Sequence, residues 1–139
     1  MKKILLGISV IIIVCIVGIY TYTSIIEKNN FDIKQLSWSA EGKLWTDNSK
    51  HNKYDISFQT LNGSDIKEIN SKKSTYDMKI DSSVTSGDLN LKIYNDNKVL
   101  FKESGSINKI ITVDNNNSKN VKIEITGQKA KGHVIINLK

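Results

Sequence analysis

Few side chains in this sequence have the types and spacing that catalysis or metal binding requires. The two histidines, His51 and His133, lie far apart, and the single cysteine, Cys15, lies inside an apolar run. A zinc site needs three or four ligands at short spacing, and a hydrolase nucleophile stands in a motif such as G-x-S-x-G; neither pattern occurs. We therefore expect the protein not to be an enzyme, with no catalytic residue, no cofactor-binding residue and no metal ligand.

The stretch from Asp114 to Ser118 is the one segment rich enough in oxygen ligands to suit calcium. An EF-hand loop counted from Asp114 would need glycine at its sixth position and glutamate at its twelfth, where this chain has Lys119 and Ile125. Side chains of Asp and Asn more often make turns by bonding to their own backbone. We expect a turn here and no cofactor, with calcium as the alternative.

The two tryptophans, Trp38 and Trp45, are the side chains best suited to contact a ligand at the surface. Exposed together, they would form a platform for carbohydrate or lipid. Buried, they would anchor the first strands to the core, which is the usual fate of tryptophan in a domain with 7% aromatic residues. Trp38 and Trp45 are our speculative surface-contact residues, and both alternatives stay open at this point.

Strands must position these residues, because apolar side chains recur at every second position after residue 30. The clearest segments are centred on Ile56, Ile80, Leu91, Ile123 and Ile136. Turn signals separate the segments, among them Asn62-Gly63, residues 86–88 and residues 127–132. The pattern predicts an all-β fold, an antiparallel jelly-roll-like β-sandwich of about eight or nine strands, preceded by one transmembrane helix.

Two segments resemble a family pattern. Residues 87–97, GDLNLKIYNDN, are similar to a strand and turn of the form G-x-L-x-L-x-I-x-D-x-x-G. Residues 121–132, VKIEITGQKAKG, are similar to a closing hairpin of the form Y-x-I-x-V-x-G-x-x-A-x-G. Both forms belong to small pre-peptidase C-terminal-like jelly-roll domains and their surface-protein and lipoprotein relatives in Gram-positive bacteria. The resemblance implies a β-sandwich and an accessory, non-catalytic role.

The N-terminus carries a run of 23 uncharged residues, 4–26. As a helix it would extend about 34 Å, enough for a hydrocarbon core of roughly 30 Å. Lys2 and Lys3 precede the run and favour a cytoplasmic N-terminus. We expect residues 1–26 to be a membrane anchor, residues 27–30 a short linker, and residues 31–139 an extracytoplasmic domain of a single-pass cell-membrane protein.

Other interpretations of this run remain open. It could be a cleaved signal peptide, with residues 4–15 as its apolar region. It could be a lipoprotein signal with Cys15 as the lipidated residue, although Val14 stands where a small residue is usual. It could be the N-terminal helix of a pilin-like protein. Cleavage would then fall between Gly7 and Ile8, and Ile12 would stand where such proteins usually have glutamate.

The charge pattern narrows the range of partners. The formal net charge is +6, and all 20 basic residues are lysine. The chain has no arginine and therefore no guanidinium group to make paired hydrogen bonds with phosphates or bases. We therefore expect no nucleic-acid partner. The lysines favour an anionic cell-wall polymer or lipid surface. The predicted function is a non-catalytic cell-surface binding or accessory module; the alternatives are an accessory to a surface hydrolase, a pilin-like subunit and an enzyme.

Overall fold

The computed structural model describes residues 11–21 and 30–139. Residues 11–21 form a helix, α1, in which Cys15 is exposed. The rest of the predicted anchor and most of the predicted linker, residues 1–10 and 22–29, lie outside the described residues. Within the described ranges, no helix combines the length and apolar character needed to cross a bilayer.

Antiparallel strands make up most of residues 30–139, which confirms the predicted all-β class. The strands of this described part are β1 (Phe31–Lys43), β2 (Thr46–Asp47), β3 (Lys53–Ser71), β4 (Tyr76–Tyr94), β5 (Val99–Ser104), β6 (Ile107–Val113) and β7 (Val121–Leu138). Hydrogen bonds join them in the order β1-β3-β7-β4-β5, with β2 also beside β3 and β6 also beside β4. These seven strands correct the prediction of eight or nine, because the three central strands are longer than expected.

The central strands β3, β4 and β7 run for 19, 19 and 18 residues and bend in the middle. The pairing register shifts between Phe58 and Gly63 on β3 and between Val84 and Asp88 on β4. On both strands the buried side chains are at even positions before the shift and at odd positions after it. An extra residue in a strand switches the side that faces the core, so one continuous face stays buried through the bend.

Two sequence signals that predict hairpin turns, Asn62-Gly63 and residues 86–88, instead lie inside these strands at shifts of the pairing register. Gly63 lies within β3 with φ of +115°, and Gly87 lies within β4 with φ of +71°. A Cβ atom at Gly63 would collide with the Ser39 carbonyl oxygen, and one at Gly87 with the Lys129 carbonyl oxygen. Glycine serves a turn and a bulge for the same reason, its freedom at positive φ. The turn predicted at 127–132 likewise lies within β7.

The bend folds the sheet onto itself in two layers. Layer A contains β2, β6 and residues 53–58, 76–84 and 132–138; layer B contains β1, β5 and residues 61–71, 86–94 and 121–130. The buried apolar side chains of both layers form a single cluster. Phe31 of layer B meets Tyr76 of layer A edge to face, with ring centroids 5.1 Å apart. The chain is therefore a β-sandwich with a bend end, where strands cross between layers, and an open end, where their free ends meet.

Candidate binding site at the edge formed by β1 and β2

Three aromatic rings form a stack at the edge of the sandwich where β1 and β2 lie. Phe58 is buried, and Trp45 stacks on it with centroids 6.1 Å apart and an angle of 21°. Trp38 meets Trp45 edge to face at 4.2 Å and 68°. Trp38 is 42% exposed, whereas Trp45 is half-buried against the core. The aromatic stack thus runs from the core to a ring that solvent can reach.

An irregularity in β1 orients Trp38 toward this edge. Gln35 pairs with Lys67 and Trp38 pairs with Asp65, and both partners are buried on β3. The register shifts between Gln35 and Ser37, so Leu36 is the extra residue and lies 52% exposed. Gln35 and Trp38 are three positions apart, and without the extra residue they would point to opposite faces.

The chain reverses between β1 and β2 at Leu44, which adopts a φ of +47° and is 70% exposed. This reversal carries the chain from layer B to layer A and places Trp45 over Phe58. Leu36, Trp38 and Leu44 together give this edge three exposed large apolar side chains.

A polar cluster lies beside the aromatic stack and bridges the two layers. The Lys67 ammonium donates to Asp47 Oδ2 at 2.5 Å and to Gln35 Oε1 at 2.6 Å. Gln35 Nε2 donates to Asp65 Oδ1 at 2.6 Å, and the Tyr54 hydroxyl donates to Asp65 Oδ2 at 3.0 Å. Asp65 is fully buried and Lys67 is 4% exposed, so each charge is offset by hydrogen bonds rather than by water.

The environment shifts the pKa values of this polar cluster in different directions. Burial raises the pKa of Asp65, although hydrogen bonds from Gln35 and Tyr54 and the charge of Lys67 oppose the shift. Burial also raises the pKa of Tyr54 well above 10.0, assisted by the Asp65 charge. Burial acts to raise the pKa of Asp47, but hydrogen bonds from Lys67 and Ser49 outweigh it and lower that pKa below 3.8.

Solvent reaches two polar side chains of this edge. The Asp47 side chain keeps 32% exposure and Gln35 is exposed, so both can reach a ligand beside the Trp38 ring. Tyr54 and Asp65, whose pKa values are most perturbed by burial, are enclosed and cannot contact a substrate. Among the residues that the structure describes, no three His, Cys, Asp or Glu side chains are placed to hold a metal ion.

The other residues singled out from the sequence lie elsewhere. His51 is exposed in a turn, with φ of +34°, and His133 on β7 pairs with Ser57 and Ser83. In the segment from Asp114 to Ser118, Asn117 Nδ2 donates to Asp114 Oδ1 at 2.5 Å and Asn117 N donates to Asp114 O at 2.9 Å. This is the predicted turn; the absence of a cofactor stays a prediction, with calcium as the alternative.

Sequence reasoning identified the two tryptophans but missed the polar cluster. The sequence does contain a signal for this cluster. Asp65 and Lys67 are at odd positions between the apolar residues Leu61 and Ile69, which are also at odd positions on β3. In a strand, residues at alternate positions share a face, so two opposite charges stood on the core side. Asp47, the partner of Lys67, is 20 positions away in the sequence, and no local pattern connects the two.

Comparison with known proteins gives structural similarity only. No family model and no curated protein matches the sequence. The secreted serine protease VesC from Vibrio cholerae is 14% identical with a TM-score of 0.49; the match covers 66% of this chain and 22% of the protease.

Two further solved structures are carbohydrate-binding modules. A family 29 module is 14% identical with a TM-score of 0.38, over 78% of this chain and 89% of the module. The CBM36-1 domain of a multidomain xylanase from the hindgut metagenome of Trinervitermes trinervoides is 16% identical with a TM-score of 0.36, over 78% of this chain and 97% of that domain. All three TM-scores are below 0.5, so this β-sandwich is similar to these proteins without being assigned to any family among them.

Proposed function

We propose that residues 31–139 form a non-catalytic binding module that binds its ligand at the β1 and β2 edge. The observation that carries the proposal is the exposed Trp38 ring, held by Trp45 against the buried Phe58. A ring supported in this way is already ordered, so ligand binding does not have to immobilise it. An indole ring offers a flat apolar contact surface and a polar N–H group.

The ligand class that this edge fits best is a hydroxyl-rich polymer such as a surface polysaccharide. Sugar rings present C–H faces that pack on an aromatic ring and hydroxyl groups that need polar partners. Asp47 and Gln35 belong to the same edge, and their side-chain oxygens, which accept from the Lys67 ammonium, have further lone pairs for those hydroxyls. The combination of an apolar face and a few fixed polar groups is the usual composition of a small-molecule site.

The proposal includes attachment to the outer face of a cell membrane. The uncharged run of residues 4–26, preceded by Lys2 and Lys3, supports an uncleaved anchor with the β-sandwich outside. An accessory role beside a surface hydrolase is compatible with the same site. Membership of the pre-peptidase C-terminal-like family and the jelly-roll topology stay predictions.

Binding of the detergent-solubilised full chain to insoluble cell-wall polysaccharide tests this function. We expect Trp38→Ala to weaken binding at least about tenfold, a loss of about 1.4 kcal/mol. Ile110→Ala is the matched control, because Ile110 on β6 is a 65% exposed apolar residue on another part of the surface. Equal binding by both variants would remove the edge from consideration as the site.

A further inference from the structure

The loops at the open end of the sandwich form one connected surface. They comprise the residues outside strands at that end: 30, 48–52, 72–75, 95–98, 114–120 and 139. Lys72 N donates to the Asn30 carbonyl oxygen at 2.9 Å, which ties the start of the domain to this end. A depression of about 300 Å³, lined by Phe31, Asn52, Lys73, Leu138 and Lys139, joins three of the loops.

Side-chain amides hold two more of these loops in place. Asn95 is 6% exposed and its Nδ2 donates to the Asn117 carbonyl oxygen at 3.2 Å. Asn120 Nδ2 donates to Asp96 Oδ2 at 2.6 Å, a second bond between the same two loops. The open end therefore presents its side chains from a fixed backbone rather than from independent segments.

The net charge of the domain is concentrated at this end. The six open-end segments contain six lysines, namely Lys50, Lys72, Lys73, Lys98, Lys119 and Lys139, and two acidic residues, Asp96 and Asp114. The remainder of residues 30–139 contains eleven lysines and eleven acidic residues and is neutral. Residues 30–139 have a formal net charge of +4, and the open-end segments alone account for it.

These lysines are available to an external partner. None of the six makes an ion pair within the described residues, whereas Asp96 is paired with Lys122 of β7 at 2.6 Å and Asp114 accepts a bond from Asn117. Five of the six are exposed, and Lys73 is half-buried with its ammonium 5.8 Å from the centre of the Phe31 ring. The exposed charge at the open end is therefore mainly positive.

We propose that the open end is a membrane-facing surface that binds anionic lipid headgroups, an inference that rests on the membrane attachment proposed above. The polypeptide leaves the domain at Asn30 on this surface. Residues 27–30 can extend no more than about 14 Å from the end of the predicted anchor. An anionic leaflet attracts nearby lysines over about one Debye length, roughly 8 Å at physiological ionic strength, so the short linker brings the charges within range.

This orientation would leave the ligand edge free. Trp38 pairs with Asp65, six residues along β3 from Ser71 at the open end, a distance of about 20 Å. With the open end on the bilayer, the Trp38 ring would stand clear of the headgroups and face the space outside. The two surfaces therefore have separate tasks, one orienting the domain and the other binding its ligand.

The test uses the full chain in vesicles and two fluorophore positions. In a Cys15→Ser background, which removes the chain's single cysteine, Asn116→Cys labels the open end and Ser86→Cys labels the bend end. A headgroup spin-labelled lipid quenches fluorophores that approach the leaflet. We expect the Asn116 label to be quenched at least about threefold more than the Ser86 label, and only when phosphatidylglycerol is added to phosphatidylcholine. The difference should vanish at about 1 M salt, where the Debye length is about 3 Å.

A matched pair of triple variants identifies the lysines responsible. Lys72→Gln, Lys73→Gln and Lys119→Gln together should abolish the effect of phosphatidylglycerol. Lys43→Gln, Lys129→Gln and Lys131→Gln together, which remove the same charge at the bend end, should leave it intact. Equal effects of the two triple variants, or quenching that does not depend on phosphatidylglycerol, would overturn the proposal that the open end binds anionic lipid.

The outcomes separate this inference from the attachment on which it rests. A chain that does not float with vesicles of any composition overturns the membrane anchor and the open-end surface together. A chain that floats, but whose Asn116 label shows no dependence on anionic lipid, overturns the open-end surface alone. Binding of the open end to added poly(glycerol phosphate) with no response to anionic lipid would assign it to a wall polymer and equally overturn the proposal.

Discussion

The Tyr54 hydroxyl of layer A donates a 3.0 Å hydrogen bond to Asp65 Oδ2 of layer B. The two residues are 11 positions apart on the same strand, β3, and face each other because the strand bends between them. Both are fully buried, so the bond joins the two layers inside the core. The same carboxylate reaches the surface through Gln35, which links the core to the proposed ligand edge.

Removal of the Tyr54 hydroxyl should cost stability. Tyr54→Phe leaves one oxygen of the buried Asp65 carboxylate without its donor, which we expect to lower the free energy of unfolding by about 1–2 kcal/mol. Tyr76→Phe is the control, because the Tyr76 hydroxyl is buried and has no hydrogen-bond partner among the described residues. That variant should be neutral or slightly stabilised. Urea denaturation of both variants measures the difference, and equal losses would contradict the role given to the bond.

Asp65 and Asp47 should make opposite contributions to the pH dependence of stability. The folded state raises the pKa of Asp65, so it binds a proton that the unfolded state has released, and its stability contribution falls as pH rises above 3.8. The folded state lowers the pKa of Asp47, so that contribution is present above 3.8 and is lost as pH falls below it.

Amide variants separate the two contributions. The unfolding free energy of the native chain relative to Asp65→Asn should decrease as pH increases from 3.8. The unfolding free energy of the native chain relative to Asp47→Asn should increase as pH rises toward 3.8. Denaturation curves recorded across acidic pH give both slopes. Slopes of the same sign would show that the pKa shifts of the two carboxyl groups are not opposed.

Alanine at two glycines should distinguish a bulge from an open turn. Both Gly87 and Gly105 have positive φ, +71° and +82°, so alanine costs about 1 kcal/mol of backbone strain at either. At Gly105 the added methyl group has open space, whereas at Gly87 it would collide with the Lys129 carbonyl oxygen. We expect Gly87→Ala to lose at least about 2 kcal/mol more than Gly105→Ala by urea denaturation, since the bend would have to shift. Comparable losses would indicate that the bend tolerates a side chain.

The two tryptophans should differ in their access to solvent. Trp45→Phe leaves Trp38, which is 42% exposed, as the only tryptophan, and Trp38→Phe leaves the half-buried Trp45. We expect Trp38 to emit at longer wavelength and to be quenched more strongly by acrylamide.

We also expect Trp45→Ala to lower the free energy of unfolding by about 3 kcal/mol and Trp38→Ala by about 1 kcal/mol, because Trp45 packs on the core. A shielded Trp38 would remove the proposed ligand platform.

The alternation of apolar residues correctly predicted the strand regions and their core faces, since each such pattern is local. Ile56, Ile80 and Ile123 are buried as expected. The hairpin predictions at Gly63 and Gly87 were wrong because glycine supports positive φ in turns and bulges alike. The apolar positions change from even to odd between Phe58 and Leu61 and between Val84 and Leu89, which indicates an extra residue within a strand and is not required by a hairpin turn.

The sequence by itself determined that this chain is all-β, which side chains face the core, and that its N-terminus carries an uncharged run long enough to span a bilayer. Only the tertiary structure decided that Trp38 is exposed at an edge and supported by Trp45. It also decided that Lys67 bonds Asp47 across the two layers and that the surplus lysines lie at one end. The physical reason is that alternation records the environment of each residue along one strand, whereas these features depend on where a bent sheet brings distant segments together, as with Lys129 N and Asn62 Oδ1, 67 positions apart.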